Sequence, residues 1–242
     1  MTRVIERVGT ILSAFTPDQP TLTLAECVAK TNLNKSSALR LLTSLEQIGL
    51  VERVDSRWRL GPETVSLAMI RRDSVNLQRE AIPVLQRLRD EFGMSVAYSV
   101  PDRHAMLYVE RLDSADAVGL SARLGGRAQM WEGASGVAVL SQLPPKAREQ
   151  ALDSDEWRSL PKADQHRILE EIDAAETRGY ALSLRPHGAV PIGGAAIALC
   201  NRLGEPVAAL SVIVPLDQLT KPLQKRIGDE LLYVGRSLRR VT

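Results

Sequence analysis

Apolar residues near the start of the chain recur every three or four positions. Val4, Ile5, Val8, Ile11, Leu12 and Phe15 make one face of a helix predicted over 3–15, and Pro17 and Pro20 end it. Thr23-Leu-Ala-Glu26 has the form of a capping box, in which a hydroxyl and a carboxylate three residues on satisfy backbone amides at a helix start. A second helix is therefore expected to begin there and run to Lys30, with Leu24, Ala25, Val28 and Ala29 facing inward. Asn32 suits a left-handed turn, and Asn34 or Ser36 can cap a third helix that ends at Gly49. Its inner face is Ala38, Leu41, Leu42, Leu45 and Ile48. Two short β-like runs follow, Leu50–Val54 and Trp58–Leu60, joined by the turn-forming Asp55-Ser56-Arg57. Three helices and a hairpin in this order predict a winged helix-turn-helix over residues 1–61, with the helix-turn-helix itself at about 24–47.

Pro62 can open a linker helix through Arg72, within a linker at 62–75. An amphipathic helix is expected over Val75–Phe92, interrupted at Pro83 and closed by Gly93. From Ser95 the apolar period becomes two. Val96/Tyr98/Val100, Met106/Tyr108/Glu110/Leu112 and Val118/Leu120 predict consecutive strands, with a turn at Pro101-Asp-Arg. Gly133-Ala-Ser-Gly-Val-Ala-Val-Leu predicts a helix packed closely on them, and Asp164–Thr177 a charged amphipathic helix. Tyr180–Leu184, Gly194–Cys200 and Val207–Val214 add strands, and Asp217–Leu238 a closing helix. The expected fold is α+β in two domains: the winged helix-turn-helix, a helical linker, and an antiparallel-sheet domain over 76–242.

Composition narrows the function classes. The chain has 242 residues, 44% of them apolar and 25% charged, which excludes disorder and fibrous repeats. Its two cysteines, Cys27 and Cys200, have no CxxC or Cys/His spacing, so neither a metal site nor a disulfide framework is expected, and no cofactor is implied. No run is long and apolar enough for a membrane span and no signal peptide is evident, so a cytoplasmic protein is expected. Net charge is +2, and residues 1–74 carry ten Lys/Arg against eight Asp/Glu, so the whole excess lies at the N-terminal end.

The outer face of the third helix is Lys35, Ser36, Ser37, Arg40, Thr43, Ser44 and Gln47, with no acid over residues 34–45. Cations that displace phosphate counterions, set among short hydroxyls that reach base edges, are what a major groove requires. Arg57 and Arg59 alternate with Trp58 and Leu60, so both basic residues point one way. They suit either a phosphate backbone or minor groove, or the ordinary charging of an edge strand. The histidines His104, His166 and His187 have no nucleophile or carboxylate at a catalytic or metal-binding spacing, and read as solvated. Gly125-Gly126 and Gly193-Gly194 lack the pattern of a nucleotide loop.

Several runs together carry a resemblance. Leu24-Ala-Glu-Cys-Val-Ala, Asn34-Lys-Ser-Ser-Ala-Leu-Arg-Leu-Leu-Thr-Ser-Leu, Gly49-Leu-Val-Glu-Arg and Arg59-Leu-Gly61 resemble the winged-helix half of the isocitrate lyase regulator (IclR-type) family. Gly133-Ala-Ser-Gly, Glu176-Thr-Arg-Gly-Tyr180 and Pro206-Val-Ala-Ala-Leu-Ser211 resemble landmarks of that family's effector domain, so the likeness spans nearly the whole chain. The resemblance implies a bacterial transcription factor with a GAF-like sensing domain for a small metabolite, often an organic acid from a catabolic pathway. It implies a pocket framed by Met130–Ser135 and by strands near Gly194 and Ser211. Gly194 and Ile213 stand where many relatives carry Cys and a small polar residue, and Trp131 stands where a His is usual, which points to a roomier, less polar pocket and an aromatic or apolar acid. Trp131 is equally compatible with plain core packing.

The functional expectation is a sequence-specific, ligand-responsive DNA-binding regulator, and not an enzyme. DNA contacts are expected from Lys35, Ser36, Ser37, Arg40, Thr43, Ser44, Arg57 and Arg59. The carboxylate of an effector is expected at the helix start formed by Gly133, Ala134 and Ser135, with Ser211 facing it, Gly194 nearby, and an apolar wall of Leu124, Met130, Ile192 and Ile213. Expected partners are double-stranded DNA with a palindromic operator, a small carboxylic acid, and a second copy of the chain in a homodimer or dimer of dimers. The alternative class is a metabolite-binding protein or enzyme whose N-terminal helices serve only dimerisation.

Overall fold

The computed structural model describes residues 3–73, 76–114, 123–184 and 191–238. It divides into two units, 1–75 and 76–242. The expected strand at Val118/Leu120 and the residue His187 lie outside the described residues.

In the first unit, α1 (Arg3–Ser13) is followed by the short strand β1 (Thr21–Leu22), α2 (Leu24–Thr31), α3 (Lys35–Gln47), the hairpin strands β2 (Val51–Val54) and β3 (Arg57–Leu60), and α4 (Pro62–Asp73). The three strands form an antiparallel sheet in the order β1-β3-β2. Thr23 and Glu26 close the reciprocal capping box that starts α2, and Asn32 ends the helix with φ 55. The core gathers Ile11, Phe15, Leu22, Cys27, Leu42, Leu45, Val51 and Trp58. Ile48 differs from the expectation of an inward residue: it follows the last turn of α3 as its cap and is exposed. On the hairpin Trp58 is buried and Leu60, two residues on, is exposed.

In the second unit, α5 (Asn76–Phe92) leads into β4 (Ser95–Asp102), β5 (Ala105–Leu112) and β6 (Arg127–Gln129). There follow α6 (Ala134–Gln142), α7 (Pro145–Leu152), α8 (Asp155–Ser159) and α9 (Lys162–Arg178). The unit closes with β7 (Ala181–Ser183), β8 (Ile192–Cys200), β9 (Pro206–Pro215) and α10 (Lys221–Leu238). All six strands pair antiparallel in the order β6-β5-β4-β9-β8-β7. Alternation along β8 gives the sheet two buried faces. Ala196 and Ala198 meet α6 and α9, whereas Ile197 meets Gly235 of α10. Residues of β8 are buried throughout, as expected for a central strand covered on both sides.

Two details depart from the sequence expectation, and a third resolves the choice left open for Trp131. Pro83 does not interrupt α5: it sits on the exposed side, where the carbonyl left without a donor is open to water. The turn expected to begin at Pro101 begins two residues later, because Pro101 and Asp102 still pair with β5 and Arg103 takes the left-handed conformation at φ 58. Trp131 packs edge-on against Trp157 of α8, with centroids 5.6 Å apart, in the core beneath α6.

The helix α6 approaches the sheet closely because its sequence is small. At Gly136 any Cβ would collide with the Met130 carbonyl. Gly136→Ala is therefore expected to destabilise this unit by about 1–3 kcal/mol, the usual cost of forcing atoms into a filled core. A thermal melt of the full chain checks this; an unchanged midpoint would contradict the packing described.

Candidate nucleic-acid interface and ligand cavity

The start of α3 is fixed by Asn34, whose side-chain oxygen accepts from the Ser37 amide at 2.8 Å and from the Ser36 hydroxyl at 3.0 Å. Ser36 is thus partly engaged in capping, and Ser37 is half-buried. Lys35, Arg40, Thr43 and Ser44 are exposed together on the outer face, while Ala38, Leu42 and Leu45 are buried behind them. Among the described residues neither Lys35 nor Arg40 makes an ion pair, so both charges face solvent uncompensated. The first acid on the helix is Glu46, in its last turn.

The hairpin arginines behave differently. Arg57 turns back to the start of α2, donating to Thr21 Oγ1 at 2.8 Å, to the Thr21 carbonyl at 3.0 Å and to Glu26 Oε2 at 2.9 Å. Arg59 pairs with Glu52 across the hairpin. The structure therefore does not leave these two as a free basic stripe; each is held by a carboxylate of its own unit. Arg53, which the sequence reading did not single out, lies with its guanidinium 5.8 Å from the Trp58 ring centroid and donates to the Asp55 carbonyl. Its cross-strand pairing with Trp58 is the signal that places it there.

Glu26 ties these parts together. Its carboxylate accepts from the Thr23 amide at 2.6 Å and from Arg57. The Thr23 hydrogen bonds, aided by the nearby Arg57 guanidinium, hold its pKa below the ordinary 4.5.

In the second unit a cavity of about 120 Å³ opens between the start of α6 and the sheet. It is lined by Gly133, Ala134 and Ser135 of α6 and its cap, by Ser211 and Ile213 of β9, and by Ile192 and Gly194 of β8. These seven of the nine expected residues come together. Leu124 does not join them: it lies in the turn before Gly125, which has φ 75, and is 61% exposed. Met130 is buried instead in the core with Met106 and Val137.

Tyr108, Arg127, Ala128, Glu132, Ser183, Gly193 and Val212 are the other described residues of the lining, and the sequence reading did not place them there. Tyr108 is the largest omission. Its ring packs with Ala97, Ala128 and Ile213, and Ser135 stands close to its hydroxyl. Burial pushes the phenol pKa up, so it is a neutral hydrogen-bonding group. With Ser135, Ser183 and Ser211 the cavity is more polar than expected. Gly194 does not enlarge it simply by lacking a side chain, since a Cβ there would strike the Val212 carbonyl of the neighbouring strand.

Two features suit an anion. The cap Gly133 offers no side chain to the first turn of α6, so the amides there lack a capping acceptor and present the positive end of the helix. Ser211 faces them, 4% exposed, and its hydroxyl has no hydrogen-bond partner among the described residues. Arg127 at the rim is the only cationic side chain in the described lining, and it is tied to Asp102 at 2.7 Å. Among the described residues no cluster of His, Cys, Asp or Glu could hold a metal ion, and no helix is long and apolar enough to cross a membrane.

Comparison with known proteins gives the same two-part division. A model of the IclR helix-turn-helix domain matches residues 4–55, and a model of the bacterial transcriptional regulator IclR C-terminal domain matches residues 70–240. The HTH-type transcriptional regulator KipR of Bacillus subtilis is 30% identical over 169 residues, 68% of this chain and 68% of that one. The p-hydroxybenzoate hydroxylase transcriptional activator of Acinetobacter baylyi is 23% identical over 237 residues, covering 94% and 85%. The crystal structure of an IclR homologue from Microbacterium hydrocarbonoxydans complexed with 4-hydroxybenzoate superposes with a TM-score of 0.80, at 25% identity, covering 97% of this chain and 99% of that one.

The lowered pKa of Glu26 has a consequence for stability. Its contribution is complete above the ordinary value of 4.5 and is lost as pH falls through the lowered folded value. Glu26→Gln is expected to melt below the wild type at neutral pH, and the gap should close as pH is taken well below 4.5. Thermal melts across that range check it; a gap independent of pH would mean that the charge of Glu26 does not matter.

Proposed function

The chain belongs to the IclR family of bacterial transcriptional regulators, and on that premise we propose that α3 reads an operator in the major groove while the cavity beneath α6 takes a single-ring carboxylic acid. It is a DNA-binding transcriptional regulator; which acid and which contacts it uses are our reading. The observation that carries the reading is the joint presence, in one chain, of an α3 surface with no acid before Glu46 and with unpaired Lys35 and Arg40, and of a cavity with an uncapped helix start opposite Ser211.

On the DNA side, Arg40 lies beyond the first turn of α3, flanked by Thr43 and Ser44, where a guanidinium reaches base edges. Lys35 lies at the helix start, where phosphate is favoured by the helix dipole as well as by the ammonium. Arg57 and Arg59 contribute by fixing the hairpin rather than as free charges, with Arg53 a further exposed basic group near its tip.

A second copy of the chain completes the reader. Val4 and Ile5 on α1, and Val65, Leu67, Met69 and Ile70 on α4, are exposed apolar residues with no cover within one chain. Their burial between two copies would set two recognition helices on a palindromic operator, with the sensing domains able to join dimers in pairs. The protein works where the DNA is, in the cytoplasm, and binds rather than transforms its ligand. His104 supports that view, since its Nδ1 is engaged with the Ala151 carbonyl at 3.1 Å, and His166 lies on the exposed face of α9 beside Glu170.

On the ligand side, size favours one ring. The cavity is about 120 Å³, and an apolar engineered cavity of roughly 150 Å³ takes up benzene. The carboxylate sits against the α6 amides, Ser135 and Ser211, and the ring against Ala128, Ile192, Val212, Ile213 and the face of Tyr108. The relatives named for p-hydroxybenzoate hydroxylase and bound to 4-hydroxybenzoate support an aromatic acid.

Gel shifts test the DNA half. Arg40→Ala should cost about 1–3 kcal/mol on the cognate operator and much less on random duplex, whereas Lys35→Ala should weaken both and reduce the salt slope by about one. An equal loss on both duplexes for Arg40→Ala would make it a phosphate contact only. For the ligand half, Ala134→Leu should fill the cavity, leaving DNA binding intact without ligand but abolishing thermal stabilisation by benzoate-type acids. A variant that is still stabilised at unchanged ligand concentration would place the ligand elsewhere.

A further inference from the structure

Leu39, the fifth residue of α3, is 42% exposed. The core face of the helix is complete without it, since Ala38, Leu42 and Leu45 are buried and Leu41 is half-buried. Its exposed neighbours one turn away are Lys35 and Ser36 before it and Thr43 after it. The apolar residues of α1 and α4 are exposed in groups, Val4 with Ile5 and Val65 with Leu67, Met69 and Ile70, and suit cover by another apolar surface. Leu39 is set instead among an ammonium and hydroxyls, with the Arg40 guanidinium next in the chain. A protein surface laid over Leu39 would also take the Lys35 ammonium out of water, which is costly without a partner charge. Helix propensity does not call for leucine here either, because Lys, Arg, Gln or Glu serve about as well on a solvated face.

We propose that Leu39 recognises the C5 methyl group of a thymine in the major groove, at one position of each operator half-site. The inference rests on the reading of α3 as the recognition helix and adds a base contact made without a hydrogen bond. Duplex DNA suits the whole surface, because its phosphates meet Lys35 while the floor of its groove offers apolar contact. That apolar contact comes from thymine, the base that displays a methyl group in the major groove. Where cytosine stands at the same position, the edge turned to Leu39 carries an amino donor that an apolar side chain cannot satisfy. Leu39 lies in the N-terminal half of α3, the part of a recognition helix that contacts base edges. Leu39 and Arg40, adjacent in sequence, thus read by different means: burial of a methyl group, and donation to the acceptors of a purine.

The test removes the methyl group from the DNA rather than from the protein. The full chain first selects its operator from random-sequence duplex. Each thymine of the selected site is then replaced singly by deoxyuridine, which keeps the base pair and lacks only the C5 methyl. In gel shifts at one salt concentration, deoxyuridine at one position of a half-site should weaken wild-type binding by about fourfold, the contribution of one buried methyl group, and by roughly fifteenfold with both half-sites substituted. Leu39→Ala should bind the thymine operator more weakly than the wild type and be indifferent to deoxyuridine at that position. Changing the pair there to C·G should weaken the wild type further, and 5-methylcytosine should recover part of that loss. Thr43→Ser, which removes the threonine methyl from the same face, should keep the wild-type response. A wild type that binds every deoxyuridine duplex as tightly as the thymine operator overturns the proposal. So does a response that survives in Leu39→Ala, or one that disappears in Thr43→Ser. In each of these cases sequence-specific binding that is lost in Arg40→Ala still supports the reading of α3. A wild type that selects no sequence overturns both.

Discussion

The arrangement of the sensing unit depends on how closely α6 can lie against the sheet. Its first eight residues are Ala134-Ser-Gly-Val-Ala-Val-Leu-Ser141, all buried, and Gly136 sits so near the Met130 carbonyl that no side chain fits between them. This contact fixes the 130–133 turn, and the turn sets where the helix begins. The same closeness brings the uncapped first turn to the cavity it shares with β9. A bulkier helix would stand further off, and the amides, Ser135 and Ser211 would no longer converge. Small residues here are a packing requirement first, and the placement of the uncapped amides follows from it.

The DNA-binding unit has its own organising group in Glu26. One carboxylate caps α2, accepts from Thr23 and anchors Arg57, so the helix-turn-helix and the hairpin share a single electrostatic joint. The pair is half-exposed, and such pairs contribute little energy alone. Its value lies in position, because β3 is held against β1 and the start of α2 at one point. The charges left uncompensated, Lys35 and Arg40, are those on the outer face of α3. The unit thus ties its hairpin arginines into its own shape and leaves its helix cations open to solvent.

Much of this was legible before any coordinates. The capping box at Thr23–Glu26, the Asn34 cap and the apolar stripe of α3 locate the recognition helix because each is a local rule that tertiary packing does not override. The period-two runs locate β4 and β5, and the small-residue run locates α6. What was missed follows a common reason: the deciding information is not local. Strands β1 and β6 are two and three residues long and exist only through their partners. Alternation places Tyr108 on a face but cannot say that the face looks onto α6. Ser183 is placed on the cavity only through the strand register from Gly194 to Ile213. Leu124 and Met130 were expected in the wall by proximity in sequence to Gly133, and their distance from the cavity is set by a glycine turn and by the core under α6. Pro83 would break an isolated helix, yet solvent at its missing hydrogen bond lets α5 continue.

The central claim is that one chain couples operator binding by α3 to occupancy of the α6 cavity. Coupling between two sites is reciprocal, so the factor by which 4-hydroxybenzoate changes operator affinity must equal the factor by which operator changes 4-hydroxybenzoate affinity. Measuring both dissociation constants with and without the other ligand, at one salt concentration, tests the claim most directly. The account predicts equal factors different from one, both collapsing to one in Ala134→Leu. Tight binding of the acid with no change in operator affinity would contradict it.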